Sequence, residues 1–220
     1  MIVRPSLETD APALAAIYGH HVLHGLGSFE ETPPSADDMA GRRAAVVALG
    51  LPYLVAEADG KVLGFAYTGP FRPRAAYRYT VEDSVYVAPQ AIGKGVGRLV
   101  LSEVLKACET LGVRQVMAVI GNSANEASIG LHRSLGFEHA GVGRALGFKH
   151  GDWVDIVWMQ KALNGGAVLV VGHTDTLADL VTRLGGTPGT PIGDMEFDRM
   201  YQLSRGADGK VVTVVLSSMP

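Results

Sequence analysis

The sequence predicts an α/β fold (α+β), strands interleaved with amphipathic helices, with a small αβ appendage at the C-terminal end. Three observations carry that prediction. Tyr53-Leu-Val-Ala-Glu-Ala and Lys61-Val-Leu-Gly-Phe-Ala-Tyr flank Asp59-Gly60, and a two-residue turn that needs positive φ at both positions is a strong hairpin signal. A glycine-rich loop, 93–97, stands between an extended stretch and an amphipathic one. Asn164-Gly165-Gly166 interrupts the pattern and divides residues 1–163 from 164–220.

Taken in order, residues 2–4 are a short apolar start. Thr9-Asp10-Ala11-Pro12 is a helix-start signal, and Leu14, Ile17 and Tyr18 share the face of the helix that follows. Phe29-Glu30-Glu31 leads to Pro33-Pro34, a loop, and Ser35-Ala-Asp-Asp begins a second helix that ends near Gly50. After the hairpin, residues 80–88 form a third strand stopped by Pro89. The next helix carries Leu101, Val104, Leu105 and Cys108 on one face, with Gly112 at its end. A strand at 114–120, a helix over about 125–135, and two strands at 137–148 and 153–161 joined across Gly151-Asp152 complete the larger part. The appendage reads as a strand (167–171), a helix (about 175–184), a Gly/Pro/Thr loop and two further extended segments.

Composition narrows the function classes. With 47% hydrophobic and 19% charged residues in 220, a real core is available and wholesale disorder is disfavoured. A net charge of −3 supplies no broad positive field, so neither nucleic acid nor an anionic membrane is an expected partner. A phosphate-bearing ligand must then be held by local backbone donors. Cys108 is the sole cysteine; it excludes an intrachain disulfide and is expected as core filler rather than as a nucleophile. The first residues lack a leader's apolar centre and no apolar run reaches membrane-spanning length, so a soluble, cytoplasmic protein is expected. His20, His21 and His24 lack a third ligand and a zincin pattern, and His139 and His150 lack partners, so no metal is expected.

The strongest local signal is Gln90-Ala-Ile-Gly93-Lys-Gly95-Val-Gly97-Arg98. Glycines at alternate positions allow close approach of a ligand and turn successive N–H groups inward, while the following helix offers its positive dipole end. A pyrophosphate suits such a loop, with Lys94 and Arg98 at its rim. A Rossmann fingerprint fails on context, and so does a Walker lysine. A merely tight turn stays open as an alternative.

Gln90-x-x-Gly93-x-Gly95, after a strand and before a helix, resembles the coenzyme A signature of the GCN5-related N-acetyltransferases. Residues 1–163 further resemble one branch, the phosphinothricin and methionine sulfoximine N-acetyltransferases. The stretches that carry this are Ser28-Phe-Glu, Gly69-Pro-Phe-Arg-Pro-Arg-Ala-Ala-Tyr, Thr80-Val-Glu-Asp-Ser-Val-Tyr-Val, Asn125-Glu-Ala-Ser-Ile-Gly-Leu-His and Gly147-Phe-Lys-His-Gly-Asp-Trp-Val-Asp. The resemblance implies a mixed, strongly twisted sheet flanked by helices and splayed open where the pantetheine arm of acetyl-CoA inserts. It implies that Val85, Tyr86 and Val87 run along that arm, with a backbone N–H near Val87 polarising the thioester carbonyl. Residues 92–97 (Ile92, Gly93, Lys94, Gly95, Val96 and Gly97) would take the pyrophosphate.

Glu82 matches the acidic residue with which the branch deprotonates its amine; a solvated glutamate paired with a neighbouring arginine is the alternative. Asn125 would cap its helix or bond the pantetheine amide, and Ser128 and His132 share its face. His132 stands where many superfamily members carry a tyrosine acid, so it is a candidate acid toward the thiolate, or a residue that binds the cofactor or packs. Arg72 and Arg74, on a proline-set loop, are guanidinium forks suited to carboxylate, phosphinate or sulfoximine oxygens, unless they merely form a solvated basic loop. Phe29, Glu30, Tyr77 and Thr80 match the remaining substrate positions of the branch.

The expected function is therefore acetyl transfer to the α-amino group of a small amino-acid analogue. A peptide N-terminus as acceptor, or a non-catalytic binding module, are the competing readings. The branch implies a homodimer. Residues 167–204 carry a second resemblance, through Val168-Leu-Val-Val-Gly-His173-Thr-Asp-Thr and Ile192-x-x-Met-Glu-Phe-Asp-x-Met-Tyr, to the C-terminal part of histidine phosphatases of the phosphoglycerate mutase family. The nucleophilic Arg-His-Gly of that family has no counterpart in the sequence, so no phosphatase activity is expected of 164–220.

Overall fold

In a computed structural model of the chain, residues 1–163, 174–188, 199–205 and 211–217 are described. The chain divides into two compact units, Met1–Gly166 and Ala167–Pro220.

The first unit is built on a seven-stranded sheet in the order β1-β2-β3-β4-β5-β7-β6. Strand β1 (Ile2–Pro5) pairs with β2 (Tyr53–Ala58), and β2 pairs with β3 (Lys61–Pro70) across Asp59-Gly60, whose φ angles of 51° and 72° are those the hairpin signal requires. Strand β4 (Thr80–Val87) lies beside β3. Its other neighbour, β5 (Gln115–Gly121), runs parallel to it, the one parallel pair in this sheet. The long hairpin of β6 (Glu138–Lys149) and β7 (Asp152–Ala162) closes the far side. It turns at His150-Gly151 (φ 55° and 87°), one residue earlier than the sequence suggests.

Helix α1 (Ala11–His24) begins with Pro12 in its first turn and buries Leu14, Ile17, Tyr18 and Val22 at helical spacing. Asp10 precedes it but makes no side-chain cap. Its carboxylate accepts from the Leu7 N–H at 2.7 Å and from the Arg4 guanidinium at 2.8 and 2.9 Å, so it fastens the helix start to β1. Helix α2 (Ala36–Ala48) is capped by Ser35, which exchanges hydrogen bonds with Asp38 in a capping box. Helix α3 (Val96–Thr110) buries Val100, Leu101, Val104, Leu105 and Cys108 against the sheet, and Gly112 follows with φ 76°. Cys108 is fully buried beside the Thr68 hydroxyl, and burial pushes its thiol up to about 11, which fits core filler. Helix α4 (Glu126–Ser134) links β5 to β6.

The second unit has helix α5 (Thr174–Arg183) and a two-stranded antiparallel ribbon, β8 (Arg199–Arg205) with β9 (Val211–Ser217). The expected strand at 167–171 and His173 lie outside the described residues.

Candidate active site

The sheet comes apart at its one parallel pair. Thr80–Asp83 pair with Gln115–Ala118, and beyond them β4 continues to Val87 on β3 while β5 continues to Gly121 on β7. The facing edges of Val85–Val87 and Val119–Gly121 are thus unpaired with each other, and they open onto a cleft of about 960 Å³. Backbone donors and acceptors along an unpaired edge are obligate hydrogen-bonding groups, so such an edge is suited to an extended amide-bearing ligand.

Each wall of the cleft has a local cause. Gly93 and Gly95 both adopt φ 78°, a conformation that costs glycine little, and at these two positions the backbone faces open space with no side chain of its own beside the start of α3. Ile92, Val96, Gly97 and Arg98 border the same end, and the helix N-terminus adds its partial positive charge there. At the other side, a Cβ on Gly121 would overlap the Leu26 carbonyl, so only glycine lets the 25–28 loop cross the end of β5. His21, in the last turn of α1, donates from Nε2 to the Val87 carbonyl at 2.8 Å; burial pushes its imidazole down, which suits a neutral ring in that bond.

The catalytic candidates meet at the throat of the cleft. Glu82 is half-buried there, and its carboxylate has no hydrogen-bond or ion-pair partner among the described residues. Burial pushes its pKa up, the nearby Arg72 opposes that, and the Asp83 charge adds to it. His132 is 2% exposed, with Nε2 3.0 Å from Asp83 Oδ2 and Nδ1 2.7 Å from the Ser128 carbonyl. Burial alone would lower its pKa; the Asp83 carboxylate and the Ser128 carbonyl outweigh that and hold it above the ordinary histidine value. Asn125 caps α4 through Oδ1, which accepts from the Ser128 N–H at 3.2 Å; both residues border the cleft.

Phe29 reaches the cleft because β6 makes room for it: a Cβ on Gly147 would overlap its ring. The loop behind Phe29 is held from below by Lys149, 1% exposed, whose Nζ donates to the Ser28 carbonyl at 2.6 Å. Glu30 points elsewhere. Its carboxylate accepts from Arg42 at 2.7 and 3.0 Å and from the Tyr18 hydroxyl at 2.8 Å, which braces the loop onto α1 and α2.

Arg72, Arg74, Tyr77 and Thr80 do not line the cleft, and neither do Gln90 and Lys94. The Arg72 guanidinium lies over the Phe71 ring at 4.5 Å, and Phe71 meets Tyr77 edge-on at 5.7 Å, on an exposed loop whose charge reaches Glu82. Asp83, His21 and Lys149 escape sequence reasoning, because each acts through a partner at least 49 residues away.

The residues fit acetyl-CoA on two of these observations: the unpaired β4 and β5 edges for an amide-bearing arm, and the backbone left open at Gly93 and Gly95 for a pyrophosphate.

Comparison with known proteins agrees with this geometry. Residues 24–137 match the acetyltransferase (GNAT) family. The chain is 54% identical over 164 residues to a phosphinothricin N-acetyltransferase of Alcaligenes faecalis, covering 74% of this chain and 83% of that one. It is 38% identical over 164 residues to an L-methionine sulfoximine/L-methionine sulfone acetyltransferase of Salmonella typhimurium, covering 74% and 95%. Among solved structures, a phosphinothricin acetyltransferase from Sinorhizobium meliloti in complex with acetyl-CoA superposes with a TM-score of 0.73 at 44% identity, covering 78% of this chain and 93% of that one.

Proposed function

This chain belongs to the acetyltransferase (GNAT) family, and from that membership we propose that it acetylates the α-amino group of a small amino-acid analogue, phosphinothricin or methionine sulfoximine, with acetyl-CoA as donor. The single observation that carries the reading is the coincidence of a half-buried Glu82, without a hydrogen-bond or ion-pair partner among the described residues, with the point where β4 and β5 part.

The roles follow from the chain's own groups. The N–H groups of 92–97, with Gln90, Lys94 and Arg98 around them, hold the pyrophosphate. Val85, Tyr86 and Val87 run beside the pantetheine arm, with Asn125 and Ser128 across from them. When bound, acetyl-CoA supplies the thioester to be attacked. An amine that is mostly protonated at neutral pH must lose a proton before attack, and a carboxylate whose pKa burial has raised is the better acceptor. Glu82 takes that proton and His132 serves the leaving-group side.

Phe29 forms the floor of the substrate pocket, with Glu30 bracing it. Arg72 and Arg74, with Tyr77 and Thr80, come from the exposed 71–80 loop to meet the analogue's anionic groups. The same reading takes the protein as a cytoplasmic homodimer that detoxifies such analogues and so confers resistance to them. Among the described residues no helix is long and apolar enough to cross a membrane. The domain division is read as 1–163 for acetyl transfer and 164–220 as a histidine-phosphatase-like fragment, to which no reaction is assigned.

The test is thiol release from acetyl-CoA by purified protein against phosphinothricin, methionine sulfoximine, methionine sulfone and short peptides. Saturable release with one of the amino-acid analogues is expected. Release with peptides alone would replace this reading with a peptide N-acetyltransferase.

A further inference from the structure

Asp83, one residue along β4 from Glu82, is paired with His132, and the roles above use only the histidine. Both are buried, at 6% and 2% exposure, and both border the cleft. The nearest partners of the His132 ring nitrogens are two acceptors, Asp83 Oδ2 at 3.0 Å from Nε2 and the Ser128 carbonyl at 2.7 Å from Nδ1, with the Ser128 hydroxyl farther from Nδ1 at 3.4 Å. A neutral imidazole has one N–H and one lone pair, so beside two acceptors one contact would set lone pair against lone pair. The imidazolium satisfies both. Moving the proton onto Asp83 would also satisfy both, and the two arrangements differ in whether one or both ring nitrogens carry a proton. Asp83 Oδ1 is itself buried with no hydrogen-bond partner among the described residues, which leaves His132 as the group that answers the carboxylate's charge.

We propose that Asp83 is a positioning residue that holds His132 as an imidazolium with both protons committed, so that His132 stabilises the leaving thiolate by charge and does not protonate it. This rests on the acetyl-transfer reading. The step balances without a proton from His132. Glu82 passes the ammonium's first proton on to water, the amine lone pair then forms the C–N bond, the C–S electron pair leaves on sulfur, and the second amine proton goes to the regenerated Glu82 carboxylate. The thiolate departs as an anion opposite a fixed cation and takes its proton from water after release.

The groups that face the ring are few. Asp83 reaches it from β4, the Ser128 carbonyl and hydroxyl lie one turn back on α4, and Phe137 packs edge-on at 5.0 Å. Glu82 on β4 and the neutral Cys108 thiol on α3 face Asp83 in turn. Burial would discharge the ring, and Asp83 with the Ser128 carbonyl overcomes it.

The experiment is histidine side-chain 15N NMR on the full chain, joined to steady-state kinetics of Asp83→Asn. In the wild type, both His132 nitrogens should carry protons at and above neutral pH, where an ordinary histidine of pKa about 6.5 has lost one. In Asp83→Asn burial is opposed by the Ser128 carbonyl alone, so the ring should lose a proton at lower pH than in the wild type. Its kcat at neutral pH should fall tenfold or more, with acetyl-CoA affinity and the KM for the amine within about twofold of wild type. A wild-type spectrum with one unprotonated His132 nitrogen at neutral pH overturns the proposal, and that measurement needs no variant to fold. A folded Asp83→Asn enzyme with unchanged kcat overturns it equally. Failure of the wild type to acetylate any amine would instead overturn the acetyl-transfer reading, and the spectrum would still report the protonation of His132.

Discussion

Glu82 sits between opposing influences. Burial and the adjacent Asp83 charge favour its neutral form, while Arg72 favours the carboxylate. As a base it works only when ionised, so its pKa sets the acid limb of the rate profile. Replacing Arg72 with Gln removes the one influence that lowers this pKa, and the acid limb of kcat/KM against pH should move to higher pH. A limb that stays in place while KM rises would confine Arg72 to substrate binding. At this scale the sequence was legible where a residue acts locally. Asp59 and Gly60 have the positive φ that their hairpin signal requires, Cys108 is core, and Asn125 caps its helix. It was illegible where the partner is remote in the chain. Asp83 meets His132 49 positions away, and Lys149 meets Ser28 121 positions away. Nor does a sequence show that the carboxylate of Glu30 is already taken by Arg42 and Tyr18.

Among the elements, β6 and the 25–30 loop depend on one another. The Phe29 ring occupies the space a side chain at position 147 would need, and the Lys149 ammonium fixes the loop two residues further along β6. Gly147→Ala must push the ring aside, an overpacking cost of roughly 1–3 kcal/mol. On the role proposed for Phe29 as the floor of the amine pocket, the KM for the amine should rise about tenfold while acetyl-CoA affinity holds. Equal weakening of both ligands would mean that β6 supports the whole cleft. Strand and helix positions were readable from alternation and from turn chemistry, to within a residue or two. The turn at His150-Gly151 shows the margin: His150 takes the left-handed conformation (φ 55°) that a glycine or aspartate would ordinarily signal. Asp10 shows another. Its place before Ala11-Pro12 marks a helix start correctly, yet the carboxylate serves Arg4 and Leu7 rather than the helix.

For the molecule as a whole, local pattern gives strands and helices but not the sheet order, since pairing is settled by contacts distant in sequence. A mixed sheet splayed open beside the cofactor came from the family resemblance rather than from periodicity, while the structure shows that β4 and β5 are the parallel pair and that they part after Asp83. That parting is the feature on which the functional account turns, because it puts an unpaired edge, a glycine loop and Glu82 on one cleft. The most direct test is Glu82→Gln, assayed for thiol release with the preferred amino-acid analogue and, separately, for acetyl-CoA binding by calorimetry. With Glu82 as the base, kcat should fall about 10²–10⁴-fold with acetyl-CoA affinity unchanged. Turnover within a few-fold of wild type would contradict that role.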